Sequence, residues 1–335
     1  MERLFVYIVD RPFAGHRDAL AGLTPLSSLL RAFKDLPHRA VTEDGEIEEI
    51  SAAYAAVIPT TMPLVTGDVL SEIAEEMERR SIPSLEIGEG RIYARNAFGK
   101  APTRRLWLPV FRSVEKAADH AAAERELYRR IAETSAQNGV IIPDVESVRI
   151  DAGSTIKAGA VIEPYSIVRG SEIKEDARIG PFSTVEDSVV SAGAVIWSSV
   201  VKESVIGEKT SVGPFAYVRM GSAVGAGCRI GDFVEVKASF LEDGVKAAHL
   251  AYVGDAEVGR GTNVGCGAVF ANYDGRKKHK TKVGKGVFIG ANTNLVAPIT
   301  VGDETYIAAA TTVTKDVPQG SFVIGRSRAE CKKRE

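Results

Sequence analysis

The stretch RMGSAVGAGCRIGDFVEVKASFLEDGVKAAHLAYVGDAEVGRGTNVGCGAVFANYDGRKKHKTK, residues 219–282, decides the fold of the second half of this chain. Aliphatic residues recur every six positions inside it and on both sides of it, at Ile206, Val212, Val218, Val224, Ile230 and Val236, and then at Val283, Ile289, Leu295, Val301, Ile307 and Val313. An amphipathic helix repeats its apolar positions about every three or four residues, and a half-buried strand about every two, so neither fits. A six-residue period is typical of hexapeptide β-helix repeats, in which each short strand forms one side of a prism. We therefore predict an all-β, left-handed parallel β-helix.

The same repeat aligns two basic residues. Arg219 and Lys237 are eighteen residues apart (237 − 219 = 18), which is one coil of three hexads. They are therefore expected on the same edge of the prism, about 4.8 Å apart along its axis. A basic residue usually lies on a solvated face and contributes little. Because these two stack with no acid between them, the sequence predicts an anion-binding site.

Two polar segments interrupt the repeat. The first, residues 240–259, carries His249 and Tyr252, and the second, residues 270–282, carries Asn272, Tyr273 and a basic cluster from Arg276 to Lys280. Segments that do not follow the hexad pattern are expected to project from the prism as loops. Loops on a rigid scaffold often carry binding and catalytic residues.

Composition restricts the classes of function. A length of 335 residues suggests two domains, and 44% hydrophobic residues suffice for real cores. The net charge of −2 gives no reason to expect nucleic-acid binding. The three cysteines, Cys228, Cys266 and Cys331, show no metal-ligand spacing, so we expect no metal site and a reducing, cytoplasmic setting. The first apolar run, LFVYIV, is too short to span a membrane.

The chain divides into three predicted parts. Residues 1–112 read as a small α/β domain, residues 113–139 as a linker helix that Asn138 and Gly139 end, and residues 140–335 as the β-helix. In the first part we predict a strand at Leu4–Val9, a helix at Pro25–Phe33 behind the N-cap Thr24, a helix at Asp68–Arg80, and short strands near Leu85–Ile87 and Arg91–Ala94.

Residues 218–281 resemble the acetyltransferase domain of the GlmU family. Members of this family are bifunctional: they are N-acetylglucosamine-1-phosphate uridyltransferases and glucosamine-1-phosphate N-acetyltransferases. The resemblance continues through VFIGANTNLVAPITVG, IAAATTVTKDVP and IGRSR, and backwards through QNGVIIPDVESVRID, so it covers about residues 120–330. It implies a hexapeptide acyltransferase of UDP-N-acetylglucosamine biosynthesis that uses acetyl-CoA as co-substrate and an amino-sugar phosphate as acceptor. It also implies a homotrimer with active sites between the prisms.

The resemblance assigns roles to individual residues. His249 matches the general base, which suits an imidazole because a protonated amine cannot attack a thioester. The sugar-phosphate positions match Arg219, Lys237, Tyr252 and Asn263, and Lys278 matches a lysine that reaches the same phosphate from a neighbouring subunit. The acetyl and cofactor positions match Cys266, Asn272, Tyr273, Ala291, Ala309 and Arg326. The role of Glu235, near the base in the motif, stays open.

The chain also departs from the family. RMGS at residues 219–222 replaces the usual RPGA, Ala291 stands where many relatives have serine, and Cys266 stands where alanine is common. The loss of one oxyanion donor at residue 291 is expected to slow catalysis by roughly 100-fold or more unless a backbone N–H replaces it. The first domain is about half the expected length. It offers Gly15, Arg17 and Gly22 but no Gly-rich phosphate-binding loop, so we predict a shrunken, degenerate nucleotidyltransferase-like domain without uridylyl transfer.

Two other interpretations remain open. The protein is then either an acyltransferase that acts on a different amino sugar or nucleotide sugar, or a non-catalytic β-helix that serves as an oligomerisation scaffold. A γ-carbonic anhydrase would need three zinc-ligating histidines, whereas the β-helix contains His249 and His279 alone.

Overall fold

The computed structural model describes residues 3–10, 21–43, 46–47, 50, 52–114, 116–327 and 329–331. Contacts divide the chain into two compact units, Met1–Arg130 and Ile131–Glu335. The predicted residues Gly15 and Arg17 lie outside the described part. The predicted limits of the three parts, 1–112, 113–139 and 140–335, remain predictions.

The first unit contains a six-stranded mixed sheet. Its strands are β1 (Leu4–Val9), β2 (His38–Val41), β3 (Tyr54–Pro59), β4 (Ser84–Ile87), β5 (Gly90–Ala94) and β6 (Arg104–Leu106). The order across the sheet is β2-β1-β3-β5-β4-β6. Strands β2 and β3 are parallel to β1, β5 is antiparallel to β3 and β4, and β6 is parallel to β4. The predicted α/β class is confirmed.

Three α-helices accompany these strands: α1 (Pro25–Ala32), α2 (Gly67–Arg79) and α3 (Ala117–Gln137), with short 3-10 turns at Arg95–Ala97 and Pro109–Phe111. The Thr24 hydroxyl accepts the Ser27 N–H at 3.2 Å, which confirms the predicted N-cap. Helices α1 and α2 bury Leu29 and Leu70 in one core with Ile58 of β3. The residue Gly139 after α3 has φ +90°, as the predicted left-handed cap requires.

The second unit is a left-handed parallel β-helix. Its strands are β7 (Arg149–Ile150), β8 (Thr155–Ile156), β9 (Val161–Ile162), β10 (Ile167–Arg169), β11 (Glu172–Ile173), β12 (Arg178–Ile179), β13 (Thr184–Glu186), β14 (Val189–Val190), β15 (Val195–Ile196), β16 (Val200–Lys202), β17 (Val205–Ile206), β18 (Ser211–Val212), β19 (Tyr217–Arg219), β20 (Ala223–Val224), β21 (Arg229–Lys237), β22 (Phe240–Leu241), β23 (Lys246–Gly254), β24 (Ala256–Val258), β25 (Asn263–Val264), β26 (Val269–Ala271), β27 (Thr281–Val283), β28 (Phe288–Ile289), β29 (Asn294–Val296), β30 (Ile299–Val301), β31 (Tyr306–Ile307), β32 (Thr312–Val313) and β33 (Phe322–Val323). Each strand pairs in parallel with its counterpart in the next coil.

The aliphatic repeat fills the interior of this prism. Every hexad residue predicted from Ile206 to Val236, and again from Val283 to Val313, is buried, the most exposed being Val313 at 5%. Burying such a side chain fully contributes roughly 1.5–3 kcal/mol, repeated coil after coil. The prediction of the core from the six-residue period is therefore confirmed.

Buried serines join successive coils at one corner. The Ser239 hydroxyl donates to the Lys237 carbonyl at 2.8 Å and accepts the Ala256 N–H at 3.0 Å. The same arrangement links Ser171 to Ser188 and Ser188 to Ser204. The serines thus satisfy backbone N–H groups that the corner would otherwise leave without a partner.

The two interruptions behave differently. Residues 240–259 do not project as a loop, and that prediction is wrong: they form β22, β23 and β24 within the coils. The reason is that Ala247, Ala251 and Val253 point inward, so small side chains continue the core where bulky aliphatic residues were expected. Residues 272–280 do leave the prism, between β26 and β27.

No helix among the described residues is long and apolar enough to cross a bilayer.

Candidate active site

The register of β19, β21 and β23 brings the predicted basic residues together. Arg219 pairs with Lys237 across β19 and β21, and Glu235 pairs with Tyr252 across β21 and β23. The predicted stacking of Arg219 on Lys237, one coil apart, is confirmed. Both lie where the chain turns from these strands toward the next face of the prism.

Each of these cations has its own carboxylate. The Arg219 guanidinium donates to Glu235 at 2.7 and 2.8 Å, and the Lys237 ammonium lies 3.0 Å from Asp255. The expectation that no acid separates the cations is therefore wrong. Asp255 directly follows Gly254, the residue that pairs with Lys237, so strand pairing rather than sequence spacing delivers the acid.

Lys237 is the buried centre of the cluster. It is 4% exposed, and Asn272 beside it is 6% exposed. The Asn272 amide donates to Asp255 at 2.5 Å and to the Tyr252 hydroxyl at 3.2 Å. The resemblance placed Asn272 beside the acetyl group, whereas its contacts here join it to the predicted phosphate residues. At Gly254 a Cβ would lie 2.4 Å from the Tyr252 hydroxyl, so the close packing of this cluster requires glycine there.

The projecting loop, residues 272–280, is held by Asp274. One Asp274 oxygen accepts the Arg276 and Lys277 N–H groups, each at 2.8 Å, and the other lies 2.7 Å from His279 Nε2. The His279 contact, followed by the two backbone N–H groups, lowers the pKa of Asp274 to about 2. The sequence interpretation missed both Asp274 and His279. An Asx-type turn within NYDG was the signal available for the first.

This loop places Lys278 next to Lys237. A bridge between Tyr273 and Lys278 closes the loop, and the Lys278 side chain lies beside that of Lys237. The neighbouring Lys237 lowers the pKa of Lys278, while the contacts with Lys278 and with the Asp255 carboxylate raise the pKa of Lys237 against the effect of burial. The resemblance implied that Lys278 arrives from a neighbouring subunit, but in this structure it reaches Lys237 of its own chain.

The net charge of this cluster favours the binding of an anion. Three cations, Arg219, Lys237 and Lys278, face two carboxylates, Glu235 and Asp255, which leaves one net positive charge. Two neighbouring ammonium groups repel each other, and an anion between them would relieve that repulsion. The cluster is thus complementary to a phosphate.

His249 lies on the same pair of strands. Its Nδ1 atom is 2.8 Å from Asp232 Oδ1, the residue that pairs with it across β21 and β23, and the histidine side chain is 57% exposed. The backbone N–H of Asp232, followed by the contact with His249, lowers the pKa of Asp232. The sequence interpretation missed Asp232, although 249 − 232 = 17 is close to one coil.

Three of the predicted cofactor residues, Cys266, Ala291 and Ala309, form a column along the edge that carries His249. The N–H of Gly267 donates to Leu250, that of Asn292 to Cys266, and that of Ala310 to Ala291. Leu250, Gly267, Asn292 and Ala310 thus occupy the same corner in successive coils, each with a positive φ. The residues directly before them, which are therefore equivalent to one another, are His249, Cys266, Ala291 and Ala309. Arg326 closes the column by donating to the Ala309 carbonyl at 2.7 Å.

Two predicted residues stand apart. Asn263 pairs in register with Lys246 and Phe288; its backbone N–H donates to the Val287 carbonyl, and its side-chain amide makes no hydrogen bond within the described part of the chain. Tyr273 is 60% exposed on the loop. Their assigned roles stay predictions.

The turn after Arg219 differs from what the family motif allows. Met220 has φ +58° and its sulfur lies 2.9 Å from the Arg219 guanidinium. Proline, the usual family residue, is fixed near −65° and cannot adopt this conformation. The substitution therefore changes the turn that presents Arg219.

In the described ranges no cluster of three or more histidine, cysteine, aspartate or glutamate side chains could hold a metal ion.

Comparison with known proteins supports the motif resemblance. Residues 175–260 match the family described as GlmU-like, C-terminal hexapeptide. Part of the β-helix is therefore similar to the GlmU-like hexapeptide family. A bifunctional protein GlmU of Clostridium botulinum (strain ATCC 19397 / Type A) is 47% identical over 207 residues, which are 62% of this chain and 45% of that protein. Its counterpart in Clostridium perfringens (strain SM101 / Type A) is 51% identical over 218 residues, 65% of this chain and 48% of the relative.

The chain spans about half the length of these GlmU relatives. Among solved structures, the UDP-N-acetylglucosamine acyltransferase of Francisella novicida is 15% identical with a TM-score of 0.32, over 53% of this chain and 64% of that one. The GlmU-like assignment rests on the sequence match and on the hexapeptide coils.

Proposed function

We propose that this protein is an N-acetyltransferase that transfers the acetyl group of acetyl-CoA to the 2-amine of glucosamine-1-phosphate. The observation that carries the proposal is the convergence of Arg219, Lys237 and Lys278 on one face of the coils. It is supported by the exposed His249 on the same two strands and by the identity to GlmU relatives.

The basic cluster would bind the sugar phosphate. Charge-assisted hydrogen bonds from ammonium and guanidinium groups to phosphate are roughly twice as strong as neutral ones. The planar Arg219 guanidinium, held by Glu235, can present a pair of N–H groups, while Lys237 and Lys278 act as point charges. Glu235 thereby acquires the role that the sequence left open: it orients Arg219.

His249 would act as the general base. The substrate amine is protonated near neutral pH and must lose a proton before its lone pair can attack. In the proposed reaction, that first proton goes to solvent, the free amine nitrogen bonds to the thioester carbonyl carbon, His249 takes the second proton that the bonded nitrogen loses, and the carbon–sulfur bond breaks. The electron pair leaves with the sulfur, which the proton carried by His249 then converts to the thiol of coenzyme A.

The column after His249 would hold the cofactor. Cys266, Ala291 and Ala309 are small, so this edge leaves room for an extended thioester arm next to the base. Arg326 at the end of the column would pair with a cofactor phosphate. Tyr273, exposed on the loop beside Lys237, would lie near the acetyl group, whereas Asn272 would order the phosphate residue Tyr252 together with Asp255.

A second acceptor is favoured by one specific observation. The positive φ of Met220 gives Arg219 a turn that the family motif does not share. An amino sugar or nucleotide sugar with its phosphate in a different position would suit such a change. This acceptor would use the same base and the same donor.

We also propose a homotrimer. An apolar corner stripe, defined by Tyr165, Phe182, Phe215, Phe233 and Leu250, is 56–67% exposed, and its rings stack in pairs at 5.2 and 5.7 Å. The stripe ends at Leu250, next to His249. Burial of such a stripe between chains would both stabilise an assembly and close one side of the site. Sedimentation of wild type and Phe215→Glu tests this: a fully active wild-type monomer would refute it.

For the first unit we propose that uridylyl transfer is absent. UTP- and Mg²⁺-dependent formation of UDP-N-acetylglucosamine by the purified protein would contradict this.

The deciding experiment measures free coenzyme A thiol after acetyl-CoA and glucosamine-1-phosphate are added, with His249→Ala as the control. Turnover that disappears in the control supports the proposal. No turnover in a protein that still binds acetyl-CoA would indicate that the acceptor is instead a different amino sugar or nucleotide sugar. No turnover and no acetyl-CoA binding would favour a non-catalytic scaffold.

A further inference from the structure

Asp232 lies where it can control the protonation of His249. The two residues face each other across β21 and β23, and the Nδ1 to Oδ1 distance is 2.8 Å. The described groups around His249 that titrate or carry charge are Asp232 and Arg229 on β21, Lys246 on its own strand, and Cys266 in the next coil. Of these, Asp232 makes the hydrogen bond to the imidazole.

The chemistry of the pair selects one tautomer. An ionised carboxylate has lone pairs and no proton, so it can only accept a hydrogen bond. The Nδ1 atom of His249 must therefore carry the hydrogen, which leaves the lone pair of the neutral ring on Nε2. Free neutral histidine has the opposite preference, with its hydrogen mainly on Nε2.

Charge and geometry then act in the same direction. When Nε2 takes a proton, the ring becomes a cation beside a carboxylate that is already in place. The backbone N–H and side-chain contacts of Asp232 hold this carboxylate in its charged form. An aspartate at this position is thus suited to stabilise the imidazolium that appears during the reaction.

We propose that Asp232 is the positioning residue of the acetyltransferase site, which fixes His249 as the Nδ1–H tautomer and stabilises its protonated form. This inference rests on the proposed function, but one of its consequences can be observed without any turnover. Asp232 does not contact the substrate; it acts through His249.

The first test is spectroscopic and independent of activity. Protein labelled with ¹⁵N-histidine is examined by NMR above the titration range, and the His249 signals are assigned by difference from His249→Gln, which is feasible with 5 histidines. We expect the Nδ1–H tautomer in wild type and a shift toward Nε2–H in Asp232→Ala. An Nε2–H majority in wild type, or an unchanged tautomer in the variant, would overturn the proposal.

The second test is the pH dependence of kcat. A unit charge about 4 Å away in water shifts a titration by about 0.7 pH unit. We therefore expect the acid-side midpoint of kcat to fall by about half to one pH unit in Asp232→Ala and in the isosteric Asp232→Asn. We expect the plateau of kcat in Asp232→Ala to fall about tenfold, with little change in KM.

The matched control is Glu186→Ala, which removes a carboxylate that pairs with Lys202 and Arg169 several coils away. Glu186→Ala should keep the wild-type pH dependence of kcat. If the Asp232 variants also keep the wild-type pH dependence, the positioning role is refuted. If wild type shows no turnover, the proposed function fails, and the tautomer measurement alone decides the role of Asp232. Should Asp232→Ala fail to fold, Asp232→Asn supplies the pH profile.

Discussion

Replacement of Lys237 by methionine should separate the structural role of the basic cluster from its role in binding. Lys237 is 4% exposed and lies 3.0 Å from Asp255. Removal of one partner from a buried ion pair costs about 3–5 kcal/mol, because the remaining charge stays buried without compensation. Asp255 keeps the Asn272 amide, and its side chain is 19% exposed. We therefore expect a smaller loss of unfolding free energy, about 2–3 kcal/mol, for Lys237→Met.

The comparison variant is Lys278→Met. Lys278 is exposed, and its pKa is lowered by the neighbouring Lys237, so its charge is repelled in the free protein. Its removal should leave thermal stability unchanged or slightly increased. Under the proposed function both variants lose a charge-assisted contact with phosphate, so both should weaken glucosamine-1-phosphate binding by about tenfold or more.

The assay is denaturant unfolding of each variant, together with ligand-induced shifts of thermal unfolding at increasing glucosamine-1-phosphate. Lys282→Met is the control, since this exposed lysine pairs with Glu257 outside the cluster. If Lys237→Met is as stable as wild type, the ion pair does not compensate a buried charge. If Lys278→Met binds the ligand as wild type does, the proximity of Lys278 to Lys237 has no role in binding.

Three further predictions concern the elements around the site. His279 and backbone N–H groups lower the pKa of Asp274 from 3.8 to about 2. The stabilisation of the loop by ionised Asp274 is therefore present above about pH 4 and is lost as pH falls toward 2. Amide hydrogen exchange of Arg276 and Lys277 should accelerate in that window in wild type and show no such step in Asp274→Ala. Ser239→Ala should lower the unfolding free energy by about 1–3 kcal/mol because the Ala256 N–H loses its acceptor, whereas Ser321→Ala, at an exposed turn, should be nearly neutral in the same denaturant titration. Met220→Pro should weaken phosphate binding several-fold because φ +58° is closed to proline, while Met220→Gly, measured beside it, should bind as wild type and disproves the argument if it does not.

The architecture of the second unit could be predicted from sequence because its signal is repeated. Each of many hexads carries the same information, so one aliphatic residue that is only half-buried, such as Ile156 of β8, has no effect on the conclusion. The first unit offers no such repetition. Strand β3, residues 54–59, is buried along its whole length and was missed, since a short apolar run does not distinguish a fully buried strand from a helix segment.

The site could be predicted in part for a different reason. A period identifies which residues share an edge, and this was enough to align Arg219 with Lys237. It does not identify the acids that accompany them. Asp232 and Asp255 act on residues from a neighbouring coil, and their positions depend on how β21 and β23 pass through a corner within one continuous strand.

The excursion at residues 272–280 interrupts one coil without disturbing the stack. Phe270 still pairs with Leu295, and Val258 with Val283, as though the intervening residues were absent. Because every coil contacts only its nearest neighbours, an insertion at one corner changes nothing further along the axis. A longer or shorter excursion would alter how far Lys278 extends and leave His249 and the corner positions of the later coils in place. If the proposed function holds, acceptor preference is uncoupled from folding, and a graft of this single segment between related prisms would be the direct way to exchange it.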